Sequence, residues 1–343
     1  MLSKKSKGDV IKQKKLYLIV GITTILIMIG VSAAFGLTAA GAASTPPRRP
    51  LAIMVENSMA ARPQSGLNLA DIVFEAVDEY GITRFVAIYY NNDAAQVGPV
   101  RSSRPYYAEI ARGFDPLYAF FGTYPENYKY IQDMNMYTLS AMTDNSGQSS
   151  IKGMGPYWRD YKRSKIQEHT AFMSTYALRA QAAKIGYPQD GGVIPLNFKS
   201  DAGEGERGGV ARVNIDFGTA SYAPKGFNVN YIYNRSSNSY ARVMGNKAHV
   251  DYNTGQQITA KNVIVMITDI AGPIDQWKHM SVRTIGSGSA LMFLDGNVIQ
   301  GTWERGSVYD PFIYRDGDGN EVNFNAGATW IHLVQDPSKV SFQ

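Results

Sequence analysis

The chain contains no cysteine. That excludes a disulfide framework, a thiolate nucleophile and a Cys-ligated zinc site. It also leaves no residue within these 343 that could carry a lipid on sulfur. An exported domain without disulfides must rely on its core, and about 290 residues beyond the N-terminal segment are ample for one or two domains.

A second absence is local. From Leu16 to Pro47 there is no Asp, Glu, Lys or Arg, whereas Lys4, Lys5, Lys7, Lys12, Lys14 and Lys15 precede that stretch with only Asp9 against them. The run LYLIVGITTILIMIGVSAAF (16–35) would span roughly 30 Å as a helix, about the hydrocarbon thickness of a bilayer. Lysines on one flank alone predict an inside N-terminus and an extracytoplasmic bulk. Ala40-Gly41-Ala42 also fits a signal-peptidase site. The apolar run exceeds the usual h-region of about 7–15 residues, which favours a retained single-pass signal-anchor over 16–38.

Beyond residue 15 there is no excess of charge. The chain has 34 Lys+Arg and 29 Asp+Glu; removing six lysines and one aspartate leaves 28 of each. The high pI belongs to the basic tail, residues 1–15. A nucleic-acid partner, which needs a basic surface to release counterions, is therefore not expected.

Signatures of metal chemistry are missing as well. His169, His249, His279 and His332 show neither HExxH nor His-x-x-x-His spacing. Asp316-Gly317-Asp318-Gly319-Asn320 lacks the later ligands of an EF-hand and reads as a hairpin turn. No metal and no cofactor is expected. There is no GxSxG elbow, although Ser102 or Ser103 could in principle pair with His169.

What is present begins after a proline-rich linker, residues 39–50. LAIMVEN (51–57) reads as a strand, and DIVFEAVDE (71–79) with ITRFVAIYY (82–90) as a hairpin turning at Tyr80-Gly81. Pro105 and Pro125 open two predicted helices, with LYAFFGT (117–123) as a strand between them. Ser174 to Ile185 has helical spacing and stops at Gly186. Strands alternating with helices predict an α/β domain with a mixed sheet over 51–190. Residues 191–209 read as a glycine-rich linker or loop. From 210 to 343 helical periodicity is almost absent, and short strands between Gly, Asn and Asp turns predict a β-rich, mainly antiparallel second domain.

The densest polar motif is Gly98-Pro99-Val100-Arg101-Ser102-Ser103-Arg104-Pro105. Pro105 keeps Arg104 out of helical dihedrals and makes it the N-cap, so two guanidinium groups and two hydroxyls meet a helix N-terminus, a setting suited to phosphate or carboxylate. Against this stands a bracing role, in which Arg101 and Arg104 pair with Asp71, Glu75 or Glu79. Glu75 and Glu79 as a glycosidase pair would lie roughly 13 Å apart along a strand, beyond the ~5–9.5 Å such chemistry uses. Twelve of the 22 tyrosines fall between Tyr80 and Tyr161, and any exposed ones would suit sugar stacking or peptide contact.

Laid out in order, Ala61-Arg62-Pro63-Gln64-Ser65-Gly66-Leu67, Ala70 to Glu75, Gly81-Ile82-Thr83-Arg84-Phe85 and Gly98 to Arg104 resemble the YerB-like family of bacterial extracytoplasmic proteins. Thr284 to Gly288, Gly301-Thr302-Trp303 and Gly327 to Ile331 extend the resemblance through the second part, over about 51–337. The family implies an α/β N-terminal and a β-rich C-terminal domain, and it is known as a domain of unknown function. Many members are lipoproteins; this chain departs in lacking the cysteine, and has Tyr80-Gly81 where several have two glycines. Val100-Arg101-Ser102 after a strand hairpin also resembles LytR-CpsA-Psr phosphotransferases over about thirty residues, without their metal-binding aspartates.

The expectation from the sequence is a binding or assembly module at the cell envelope. Its cleft would be built by Arg62, Arg84, Arg101, Ser102, Ser103 and Arg104, with Glu75 orienting an arginine and His169 nearby. The ligand would be a cell-wall glycan, a peptide carboxylate or a lipid-linked phosphate. The alternative is an enzyme on lipid-linked or wall glycans, a phosphotransferase or hydrolase using the same cleft.

Overall fold

The computed structural model describes residues 48–141, 154–217 and 226–343. The basic tail and the expected signal-anchor over 16–38 lie outside the described residues, as does most of the expected 39–50 linker. Among the described residues no helix is long and apolar enough to cross a membrane.

The framework is a ten-stranded mixed sheet. One half comes from the first part of the chain: β1 (Leu51–Glu56), β2 (Ile72–Val77), β3 (Thr83–Tyr89), β4 (Leu117–Ala119) and β5 (Tyr137–Thr138). The other half consists of Asn262–Ile267, Gly286–Leu294, Asn297–Arg305, Ile313–Arg315 and Thr329–Val334. The halves join where β2 runs parallel to Thr329–Val334, pairing Ile72 with Thr329 and Glu75 with His332. The expected hairpin forms, with β2 antiparallel to β3, and Pro105 and Pro125 each open a helix. The mixed sheet and the β-rich second part are as the sequence suggests.

The boundary expected between 190 and 210 does not interrupt this sheet. Residues 191–209 are ordered rather than a free linker: Ile194 and Leu196 are buried, and Asn197–Lys199 pairs with Asn323–Asn325. Two apolar side chains inside a glycine-rich stretch suffice to hold it against the sheet.

Both faces of the sheet are covered, which explains why its central strands read as continuous apolar runs. In β1 the side chains alternate: Leu51, Ile53 and Val55 join one core, Ala52 and Met54 the other. On the Met54 side the helix Pro105–Arg112 buries Tyr106, Tyr107 and Ile110. On the Val55 side packs a second, antiparallel sheet that includes Arg212–Ile215, Val229–Asn234 and Ser239–Met244, with the helix Thr175–Lys184 beside it.

One glycine shows how tightly the loops close on this frame. Gly98 has φ +143°, and a Cβ there would come within 2.9 Å of the Ala171 carbonyl oxygen. Only glycine fits this backbone at such close approach. The conformation carries Val100 into hydrogen bonding with Ala171 and into a bridge with Val55, so the arginine motif crosses the end of β1.

Candidate functional site

Two polar constellations occupy opposite faces of the sheet at the same end of β1, β2 and β3. The reason is the two-residue period of a strand. Glu75 lies opposite Phe85, whereas Arg84, one position on, lies opposite Ala76 on one side and Glu56 on the other. Neighbours in sequence thus send their charges to different faces.

The first constellation is an open cleft of about 400 Å³, walled by Glu56, Arg84, Arg101, Arg104, His169 and Trp277. Glu56 ends β1, and Asp78 and Glu79 follow β2 in the turn that leads to β3. The motif segment passes over these strand ends, anchored by Arg101 N–H to the Met54 carbonyl (3.1 Å) and Ser103 N–H to the Gly122 carbonyl (3.1 Å). Arg101 and Arg104 are thereby delivered to the same place as Arg84.

The three arginines are not equivalent. Arg84 is almost wholly buried; one guanidinium nitrogen pairs with Asp78 and the other donates to the Ser102 carbonyl at 2.7 Å. Arg104 donates to Glu79 and to the Ser103 carbonyl, with Asp78 3.7 Å away. Both are committed to internal partners; for Arg104 the partner is Glu79, one of the acids the bracing role names, with Asp78 beside it. Arg101 is different: it reaches Glu168 at 3.0 Å, but that carboxylate is 62% exposed. Its Nε lies 3.8 Å from Glu56 and makes no hydrogen bond. An ion pair to so exposed a carboxylate is worth only about 0–1 kcal/mol, so Arg101 is the least committed of the three arginines.

Protonation in the cleft follows from these contacts. Burial pushes Asp78 up to about 6, against the pull of Arg84 and Arg104. Burial also acts on Glu79, but the hydrogen bond and charge of Arg104 outweigh it and hold that carboxyl at about 2. His169 Nδ1 lies 2.9 Å from Glu56 Oε2. That bond raises the imidazole above its ordinary value despite partial burial. Glu56 in turn is lowered, because His169 and Arg101 outweigh its burial.

The second constellation is closed. Glu75 Oε2 sits 2.8 Å from Arg242 and 3.2 Å from His332 Nδ1, and its Oε1 accepts from Thr83 (2.6 Å) and Asn57 (3.3 Å). Arg242 also donates to Tyr231 (2.8 Å) and to His249 Nδ1 (2.9 Å), and lies over the Trp330 ring at 4.1 Å. His249 must then carry its proton on Nε2, 2.9 Å from Gln64 Oε1. Glu75, Arg242, His332 and Gln64 are fully buried. Burial acts against the Glu75 charge, but Arg242 and His332 hold its pKa at about 2. Burial and Arg242 together hold His249 well below its ordinary value, and burial lowers His332.

Of the residues expected in the cleft, Arg84, Arg101, Arg104 and His169 converge there. Ser102 contributes its carbonyl to Arg84, while its hydroxyl donates to the Phe121 carbonyl. Ser103 is buried, its hydroxyl 2.6 Å from Tyr118. Two expectations are corrected. Glu75 orients Arg242 on the other face, not a cleft arginine, because its register places it opposite Phe85. Arg62 belongs to the rim of that closed cluster, donating to Asn57 and the Gly226 carbonyl and stacking on Phe227, with burial lowering it to about 10.

Sequence reasoning passed over Glu56, Asp78, Trp277 and His279. Glu56 has a readable signal, a carboxylate closing an unbroken apolar strand. Trp277 and His279 have none in a single sequence, since a loop between two short strands far along the chain brings them to the cleft.

Comparison with known proteins follows the same division. Residues 37–188 match the family described as protein of unknown function (DUF3048), N-terminal domain, and residues 218–331 match its C-terminal domain. A relative from Bacillus subtilis (strain 168), named "Putative lipoprotein YerB", is 31% identical over 84% of this chain and 82% of its own length. A crystal structure of YerB protein from Bacillus subtilis aligns with a TM-score of 0.74 and 29% identity, covering 86% of this chain and 94% of that one. With both parts matched in order and the fold shared, the chain belongs to the YerB-like family of two-part proteins of unknown function.

Proposed function

We propose that this protein is a membrane-attached, extracytoplasmic envelope component that acts as a binding or assembly module, taking an anionic ligand in the Arg101 cleft. Attachment is supported by the lysine-rich head and charge-free run, and by the name of the Bacillus subtilis relative, a lipoprotein. With no cysteine in the sequence, the apolar run 16–35 takes the place of a lipid. Cell-wall glycans, peptide carboxylates and lipid-linked phosphates are the ligand classes that such a location offers.

One observation carries the binding reading. Three arginines meet in one cleft, two are neutralised by Asp78 and Glu79, and Arg101 retains unused hydrogen-bonding capacity beside the His169–Glu56 pair. A carboxylate or phosphate can displace Glu168 from Arg101 at little cost, because Glu168 is exposed. Thermal unfolding of the full chain in nanodiscs with methyl phosphate or a muramyl dipeptide tests this. A stabilising shift that Arg101→Met abolishes is expected; an equal shift in the variant contradicts it.

A second reading, catalysis on lipid-linked or wall glycans, draws on His169. An imidazole backed by a carboxylate 2.9 Å away, at a cleft wall, has the elements of a general acid–base group. Turnover of a wall-glycan substrate that His169→Gln abolishes without weakening binding would favour this reading over pure binding.

A further inference from the structure

Beside the charged cleft lies a second, mostly apolar cavity of about 300 Å³, lined by Tyr80, Pro273, Lys278 and Met280. The two cavities share Tyr80, which is 58% exposed and stands between them. Its backbone is unusual, with φ 61° and ψ 16°, a left-handed conformation that costs a bulky residue energy. Lys278, on the opposite side of the apolar cavity, is also left-handed at φ 66°. Strain of this kind gathers where a side chain is held for use. The loop that carries Lys278 is fixed by Asp275, which accepts the N–H groups of Trp277 and His279 and lies 2.6 Å from the His279 ring. His279 packs on Tyr124 and approaches Glu79 at 3.7 Å, tying the loop to the cleft wall.

We propose that Tyr80 is a specificity-determining residue and that the ligand is an amphiphilic anion. Its charged group sits on Arg101, and its apolar body passes Tyr80 into the cavity of Pro273 and Met280. This rests on the binding reading above and names its ligand class. Three features select that occupant. The cavity shares the Tyr80 side chain with the cleft; its volume suits a short alkyl chain or a ring; and its mostly apolar lining favours the body of the ligand over a second charge.

The test titrates the full chain, in nanodiscs of zwitterionic lipid, with methyl phosphate, hexyl phosphate and hexanol, empty nanodiscs serving as the blank. Hexyl phosphate is expected to bind at least tenfold more tightly than methyl phosphate, since each buried methylene adds about 0.8 kcal/mol, and hexanol to bind far more weakly than either. The near-isosteric Met280→Gln, at a residue that lines only the apolar cavity, should bring hexyl phosphate to the affinity of methyl phosphate and leave the latter unchanged, and Tyr80→Ala should shrink the ratio between the two affinities. Equal binding of methyl and hexyl phosphate by the wild type overturns the inference while leaving the Arg101 site standing. Hexanol binding as tightly as hexyl phosphate overturns it too. Methyl phosphate binding that survives Arg101→Met instead removes the reading on which it rests.

Discussion

The two faces of the sheet carry the same three kinds of residue, arginine, carboxylate and histidine, at the same end but to opposite effect. Around Glu75 every charge is answered within the protein: Arg242, His332, Thr83 and Asn57 surround one carboxylate, and Trp330 covers the guanidinium. Around Arg101 the set is incomplete, with the exposed Glu168 carboxylate at 3.0 Å and the buried Glu56 carboxylate 3.8 Å away and not hydrogen-bonded to it. Composition alone cannot separate them. Burial and completeness of pairing can, because a desolvated charge must be paired inside whereas a solvated one keeps capacity for a ligand.

The sharpest break to this comparison is Arg242→Met. It leaves the Glu75 carboxylate buried without its arginine, and removal of one partner from such a pair costs about 3–5 kcal/mol. Urea unfolding should show a midpoint lowered accordingly, while methyl phosphate affinity of the folded protein stays unchanged. A loss below about 1 kcal/mol would mean that the closed cluster does little for the fold.

Arg84→Met comes next. It removes the main partner of buried Asp78, although Arg104 remains, so a loss of about 1–3 kcal/mol is expected at pH 8. Asp78 already titrates near 6 and would rise further without Arg84. Protonation relieves the unpaired charge in the variant first, so the gap between variant and wild type should narrow as pH falls from 8 towards 6 and level off below that. A gap independent of pH would locate the damage in packing instead.

The histidines of the two faces respond to acid with opposite sign. His249 and His332 have depressed values in the folded state, so below about pH 6.5 the unfolded chain binds protons that the fold refuses. Stability is therefore lost as pH falls from 6.5, at up to about 1.4 kcal/mol per pH unit for each histidine. Glu75, held at about 2, adds a further loss below its unfolded value near 4.5. His169 acts the other way: its raised value contributes stability below 6.5 that is lost as pH rises through its folded pKa. His249→Gln should flatten the acid limb, and His169→Gln should leave that limb in place. Unfolding followed at a series of pH values checks both.

How much of this was legible in the sequence depends on which interactions are local. The hairpin of β2 and β3, the proline-led helices and the arginine motif were readable because strand residues and Pro at N1 act within a few positions. The single sheet shared by both parts was not, since the parallel pairing of Ile72 with Thr329 joins positions that no periodicity links. The site was half legible. Arg84, Arg101, Arg104 and His169, singled out by residue type and motif, meet in one cleft, whereas Glu75 lies on the other face because one residue of strand register decides it, and Arg62 sits on a loop that no strand period places. Trp277 and His279 arrive on a distant loop.

The smallest expected effect on stability belongs to the most direct test. Arg101→Met gives up only a solvent-screened ion pair, so its unfolding free energy should fall by about 1 kcal/mol or less. Titration calorimetry with methyl phosphate on the full chain should show binding by the wild type and none by this stably folded variant. Undiminished binding by Arg101→Met would contradict the claim that the open face of the sheet is the ligand site.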